Sequence, residues 1–340
     1  MLSIIKLNMK IVISKTPLRI SLFGGGTDLR SYYKKQNGGA AMSFAIDKFL
    51  YVILKKNEKV VDFKYRINWS KTEFTNNINS IEHPIVRETF KLFKINFPIE
   101  VSTFSDIPAN TGLGSSSAFA VGLVHCVSKL LNLNYSKSKI ASTAAKIEID
   151  ILKRNIGKQD HYASTYGGFN IFKFEKSEKV IVLEKILNRS IINKINNSLL
   201  IFFLNKKRDA SKILNNQKKL NNKNFIKLGE IKKLVFVARN IIKKNNKNLI
   251  FDLGNLLSES WNLKRDNNKN VSYRFVDLMN NEGIKIGAFG GKLLGAGGGG
   301  YFLFMANKNV KKELINKYKK LPNIKVKIHQ SGTEIIYINI

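Results

Sequence analysis

The sequence predicts an α+β chain of two domains, and three observations carry that reading. The chain has 340 residues, 44% of them hydrophobic, ample for a large core divided between two domains. Short apolar runs such as 10–14 and 198–205 (SLLIFFLN) read as strands, and longer apolar stretches such as 118–131 read as helices. Glycine-rich stretches punctuate these elements where glycine adds no packing bulk and costs chain entropy.

Residues 10–14 alternate as a strand does, and 16–28 (TPLRISLFGGGTD) read as a strand that ends in three glycines. Such a turn exposes bare backbone at Gly25 and Gly26. Thr27 and Asp28 then offer a hydroxyl and a carboxylate suited to the ring hydroxyls of a sugar. Arg19 lies upstream, within reach of a phosphoryl group. A tight hairpin, with Asp28 as N-cap of a helix over 29–35, is the competing reading. Residues 40–55 read as one or two strands bent near Asp47, and 60–69 as another pair. Phe63, Tyr65 and Trp69 are either core or the wall of an adenine pocket. Residues 83–93 read as a helix.

An extended segment over 99–104 runs into 107–118, IPANTGLGSSSA. Glycines let backbone approach a ligand, and a helix start presents unpaired N–H groups and a favourable dipole to anions. The serines add hydroxyls for a phosphate-bound Mg²⁺. The physical reading is a cradle for a nucleotide triphosphate. It lacks the Gly-Lys-Ser/Thr of a Walker loop and the glycine spacing of a dinucleotide fingerprint. A turn that merely caps a helix is the plainer alternative.

Residues 136–155 form a second helical pattern carrying Glu148 and Asp150. Beyond Gly157, Lys158 and Asp160 open a new turn. Glu148 and Asp160 could then meet at one site, one holding metal and the other facing an acceptor hydroxyl, with Lys158 placed to neutralise phosphate. A helix cap is the simpler reading of Asp160. Strands over 170–174 and 179–183 close the first domain, and 198–205 opens the second. A Lys/Asn-rich helical region covers 209–246, and helices follow over 249–264 and 272–281, the latter ended by Gly283. The stretch 287–301 (GAFGGKLLGAGGGGY) reads as a loop that must approach another backbone or a ligand before a strand over 301–305. A helix over 311–320 and strands over 324–329 and 334–338 finish the chain.

Lys and Arg number 58 against 24 Asp and Glu, a formal charge of +34. The lysines are spread along the chain among Asn and Ile, with no basic arm and no zinc-ligand cluster, as in the drift of an AT-rich genome. No specific nucleic-acid partner is expected, only salt-sensitive attraction of phosphates. No apolar run approaches the roughly 20 residues that cross a bilayer, and residues 1–15 lack the features of a signal peptide. A cytoplasmic protein is expected. Cys126, the single cysteine, lies in an apolar helix and reads as a buried, inert thiol.

The segments PLRISLFGGGTD, PANTGLGSSSA, GKQD and GGKLLGAGGGG, in this order, resemble the galactokinase–homoserine kinase–mevalonate kinase–phosphomevalonate kinase (GHMP) superfamily over 10–340, with 1–8 either an extension or a misplaced start before Met9. The resemblance implies a ribosomal protein S5 domain 2-like N-terminal domain over 9–190 that binds ATP. A ferredoxin-like C-terminal domain would cover 191–340, with the boundary within 185–197 and the site between the two. Pro108, Asn110, Gly112, Leu113, Gly114, Ser115, Ser116 and Ser117 would bind the nucleotide phosphates, and Ser116 and Glu148 would hold Mg²⁺. Asp160 would be the catalytic carboxylate, with Arg19 and Lys158 as catalytic cations. Gly25, Gly26, Thr27 and Asp28 would take the sugar, joined by Gly297 and Gly298 of the 295–300 loop that supports the phosphate loop and the acceptor.

Within the family, Gly24–Asp28 and Gly157–Asp160 look most like the branch that phosphorylates the anomeric hydroxyl of D-glycero-D-manno-heptose 7-phosphate, giving the 1,7-bisphosphate for nucleotide-activated heptose. Fucokinase-like sugar 1-kinases are the competing branch. Galactokinases usually carry Gly-Glu-His in the first motif, which this chain lacks. His161 stands where relatives commonly have Gln, and Arg30 where they often have Pro. Lys292, Arg30 and Lys34 are the candidates to hold the acceptor's own phosphate. A non-catalytic sensor on the same fold is disfavoured because Ser116, Glu148 and Asp160 are all present. The partner implied is a small sugar or sugar phosphate, with no membrane, and a homodimer is left open.

Overall fold

Two long strands form the spine of the N-terminal sheet: β1 (Ile11–Phe23) and β2 (Gly39–Lys56), paired antiparallel along most of their lengths. The structure, a computed structural model, describes residues 10–58, 60–204 and 222–339. The expected extension over 1–8 and the first part of the 209–246 region lie outside those residues. A hairpin follows, β3 (Tyr65–Asn68) and β4 (Thr72–Thr75), then β5 (Ile99–Ser105), β6 (Phe169–Phe174) and β7 (Val180–Ile186). β2 serves two neighbours. Residues 39–44 pair with β6 and residues 50–56 with β5, so the strand changes partner across the expected bend at Asp47. β1 shifts register against β2 just after Pro17, a residue that has no N–H for the ladder.

The helix Ser115–Leu130 is apolar nearly all round and packs against β1 and β2, with Ala118, Val121, Val124 and Cys126 fully buried. Burial pushes the Cys126 thiol up to about 12, the inert group expected. The next helix is shorter than the periodicity predicts. Lys137–Ala145 is α-helical, and Lys146–Ile151 widens into a π-helical turn that carries Glu148.

The second sheet contains β8 (Leu199–Phe203), β9 (Gly290–Leu293), β10 (Tyr301–Met305) and β11 (Asn323–Ile324) in the order β11-β8-β10-β9. Trp261, Phe202, Phe302 and Phe304 fill a core on this sheet. The rest of the expected 324–329 strand makes only one bridge, Ile46 to Ile328. The last strand, β12 (Glu334–Asn339), leaves the second half and pairs with β1, so hydrogen bonding assigns residues 334–339 to the first sheet. The halves also share one apolar cluster, in which Val235, Leu253, Leu257 and Leu303 join Ile20, Phe44 and Val121.

Gly283 does not end its helix. Arg274–Ile286 continues to Gly287, whose φ of 111° is the terminating conformation. Gly283 is needed because a Cβ there would lie 2.2 Å from the Phe304 ring. The helix Leu249–Asn267 meets the second sheet in the same way: a Cβ on Gly254 would fall 2.4 Å from Phe289 Cβ. In an open helix, Gly→Ala gains about 1 kcal/mol. Gly254→Ala should instead destabilise the protein by about 1–3 kcal/mol through overpacking, measured by denaturant unfolding.

Candidate active site

Arg19 is the first candidate side chain the fold fixes. It lies in the middle of β1, is 4% exposed, and its backbone N–H donates to the Leu113 carbonyl at 3.0 Å. Its Nη1 donates to the Gly112 carbonyl at 2.7 Å. Its Nε and Nη2 grip both carboxylate oxygens of Asp160, at 2.7 and 2.5 Å. One guanidinium thus joins the glycine loop to the acid-bearing helix Gln159–Tyr166. Asp160 sits in the first turn of that helix as an ion-pair partner, and Lys158 is the N-cap residue.

The glycine loop has left-handed backbone at Asn110, Gly112 and Gly114. Gly114 is the N-cap of the Ser115–Leu130 helix, and no side chain caps it, leaving that end open to an anion. The loop is held from behind. A Cβ on Gly300 would lie 2.1 Å from the Thr111 carbonyl oxygen, so the second half packs directly on the loop's main chain.

Glu148 is fully buried. Its Oε1 accepts from Ser116 Oγ at 2.7 Å, and its Oε2 shares a 2.8 Å hydrogen bond with His161 Nε2. Arg154, which the sequence did not single out, donates from Nη1 to both Glu148 Oε1 (2.6 Å) and Ser116 Oγ (2.8 Å). Burial pushes the Glu148 carboxyl up, but His161, Arg154 and Ser116 together hold it down at about 2.

The triple-glycine turn brings in Asp28. Its carboxylate accepts the N–H groups of Gly26 (3.0 Å) and Gln159 (3.1 Å), tying the turn to the Asp160 helix. The helix cap at Arg30–Tyr33 is Leu29, so Asp28 is not the N-cap. Gly157 is required here, because a Cβ would meet Asp28 Oδ2 at 1.8 Å. Burial, and then the neighbouring Asp160 charge, raise Asp28 to about 6.

A cavity of about 420 Å³ connects these groups. Of the expected residues, Arg19, Gly25, Gly26, Asp28 and Asn110 line it, as do Gly112, Gly114, the three serines, Glu148 and Asp160. The others stand apart, each for a visible reason. Thr27 is buried, its hydroxyl donating to the Gly24 and Ala40 carbonyls, so it holds the turn. The Pro108 carbonyl accepts from the Thr111 hydroxyl, and Leu113 is buried behind the loop. Gly297 packs on Val271, and the Gly298 N–H donates to the Val271 carbonyl; Gly295 and Ala296 reach the cavity in their place. Lys158 turns away, donating to the Glu178 carbonyl (3.0 Å) and carboxylate (3.1 Å). Arg30 and Lys34 converge on the same Glu178, and Arg30 also binds Asp150. Tyr65 is core, its hydroxyl donating to the Ile95 carbonyl.

The second half supplies Lys292 and Lys264 to the cavity. Lys292 is buried and donates to the Ser21 and Leu22 carbonyls; burial, and then Arg19, push it down to about 7. Lys264 donates to the Gly295 carbonyl. Neither Arg154 nor Lys264 carries a sequence signal, because both lie in lysine- and asparagine-rich stretches of a strongly basic chain.

Residues 80–168 match the GHMP kinases N-terminal domain. The chain is 31% identical over 330 residues to the D-glycero-alpha-D-manno-heptose 7-phosphate kinase of Campylobacter jejuni, covering 92% of this chain and 94% of that protein. It is 25% identical over 339 residues to the galactokinase of Pyrococcus furiosus, covering 90% and 92%. Among solved structures, a D-glycero-D-manno-heptose 1-phosphate kinase from Bacteroides thetaiotaomicron shares the fold, with a TM-score of 0.77 at 21% identity over 97% of this chain and all of that one.

Asp28 sets a pH window. Its folded value, raised from 3.8 to about 6, means the native state keeps a proton that the unfolded chain has lost. The contribution of Asp28 to stability is therefore fully present below about 4 and is lost, by about 3 kcal/mol, as pH rises through 6. Unfolding measured from pH 4 to 7 should show this decline in the wild type and its absence in Asp28→Asn. Glu148 titrates on the acid side of that window, its contribution being lost as pH falls from 4.5 toward 2.

Proposed function

The chain belongs to the GHMP kinase family and is a sugar kinase, and from that premise we propose that it transfers the γ-phosphoryl group of ATP to the anomeric hydroxyl of D-glycero-D-manno-heptose 7-phosphate. The product is the 1,7-bisphosphate. The observation that carries the mechanism is the Arg19 bridge between the Gly112 carbonyl and the Asp160 carboxylate. Phosphoryl transfer depends on positioning and on charge stabilisation. The bridge supports placing the donor loop and the acceptor carboxylate at one point, with a cation between them.

In this reading the triphosphate lies against the N–H groups of residues 112–117, beside Arg19. Asp160 has both oxygens engaged by Arg19, so its role is to orient the acceptor hydroxyl through its remaining lone pairs. An anomeric hydroxyl is more acidic than an ordinary alcohol, which lessens the need for a strong base. Asp28, which lines the same cavity, would take ring hydroxyls. The expected cations Arg30 and Lys34 are engaged by Glu178 outside the cavity, leaving Lys292 of the original candidates for the acceptor's phosphate.

Ser116 and Glu148 offer hard oxygen donors already gathered around one cation, which suits Mg²⁺. When bound, Mg²⁺ neutralises charge on those phosphates.

Asp160→Asn should retain ATP binding, measured by calorimetry, and lose about 10²-fold or more in kcat. An ADP-release screen over free and phosphorylated sugars should show turnover with heptose 7-phosphate. Turnover with fucose and none with phosphorylated heptoses would instead assign the fucokinase-like reaction.

A further inference from the structure

Arg154 stands where a metal ion is expected. A single nitrogen, Nη1, touches both Ser116 Oγ and Glu148 Oε1, the two atoms proposed above as metal ligands. A fully buried carboxylate needs a counter-charge, and the desolvation of an unpaired one is costly. His161 engages only the far oxygen, Oε2, so Arg154 is the cation on the cavity side.

The local chain suits a side chain that can leave. Arg154 lies in 152–158, which has no helix or strand, between the π-helical turn and the Asp160 helix. Its backbone N–H is tied to the Glu148 carbonyl at 3.0 Å, so the main chain stays anchored while the side chain, 34% exposed, faces the cavity. A dication on Glu148 Oε1 cannot share that oxygen with a guanidinium at hydrogen-bond distance, because the two cations would repel at contact range.

We propose that Arg154 is a stand-in cation, a positioning residue that holds the Ser116–Glu148 pair in the metal-free enzyme and yields Oε1 when the divalent ion enters. The proposal rests on the reading of Ser116 and Glu148 as metal ligands. It makes Arg154 a direct competitor of the metal, so its removal tightens metal binding while loosening the metal-free protein.

The test compares full-length wild type, Arg154→Gln and Glu148→Gln without nucleotide. Mn²⁺ binding is followed by electron paramagnetic resonance, and melting in EDTA or Mg²⁺ by calorimetry. Arg154→Gln should melt lower than wild type in EDTA and recover more with Mg²⁺. It should bind Mn²⁺ at least about fivefold tighter, the low end of typical coupling between ligands. Equal or weaker Mn²⁺ binding by Arg154→Gln, with Glu148-dependent binding intact in wild type, overturns the stand-in role alone. Absence of any Glu148-dependent Mn²⁺ binding overturns the metal reading as well. Should Arg154→Gln fail to fold, the side-chain resonances of ¹⁵N-arginine wild type decide. A restrained Arg154 guanidinium should be released by Mg²⁺, and one that stays unchanged at saturating Mg²⁺ refutes the proposal.

Discussion

The guanidinium of Arg19 is the contact on which the rest of the site depends. It leaves β1 with its backbone already hydrogen-bonded to Leu113, reaches Gly112 with one nitrogen and closes on Asp160 with two others. Only a planar group with several fixed donors can serve a carbonyl and both oxygens of a carboxylate at once. Because Arg19 is almost fully enclosed, losing Asp160 would leave a buried guanidinium without its counter-charge. The pair therefore fixes the distance between the glycine loop and the acid-bearing helix.

Around that tie, the site is assembled by backbone approaching backbone. Gly157 leaves room for the Asp28 carboxylate, and Gly300 lets the second half rest on the main chain of Thr111. Side chains at these points would separate the triple-glycine turn from the Asp160 helix and lift the glycine loop from its support. The apolar cluster common to both halves, together with the pairing of β12 with β1, makes their relative placement part of the fold. A cavity lined from both halves is the consequence.

Three carboxylates face this one cavity, and their partners set them apart. Asp28 has two backbone N–H groups and no cation, so burial dominates and raises it. Glu148 is buried as deeply but is surrounded by Ser116, His161 and Arg154, which reverse the effect. Asp160 is held by Arg19. Environments that pull like groups apart are how one site assigns them separate tasks. His161 is fully buried and spends its Nε2 on Glu148.

Much of the fold was legible because local chemistry dictates it. The triple glycine, the Gly-Leu-Gly-Ser loop opening an apolar helix and the four-glycine run disfavour regular helix or strand and tolerate left-handed backbone, and the chain adopts turns or loops at all three. The buried strands at 199–203 and 301–305 followed from uninterrupted apolar runs. Lys158 was misread because its neighbours in sequence face the cavity, while a helix start sends adjacent side chains in different directions, and Glu178 claims its ammonium. Gly283 read as a stop because sequence cannot reveal the Phe304 ring against it. Arg154 and Lys264 were invisible, since in a chain with 58 basic residues the few that matter are chosen by packing. The sequence by itself determined the long apolar strands, the glycine turns and the inventory of acids and hydroxyls, all governed by interactions between near neighbours. Only the tertiary structure decided which charges meet, because ion pairs such as Arg19 with Asp160 join residues that the chain alone holds far apart.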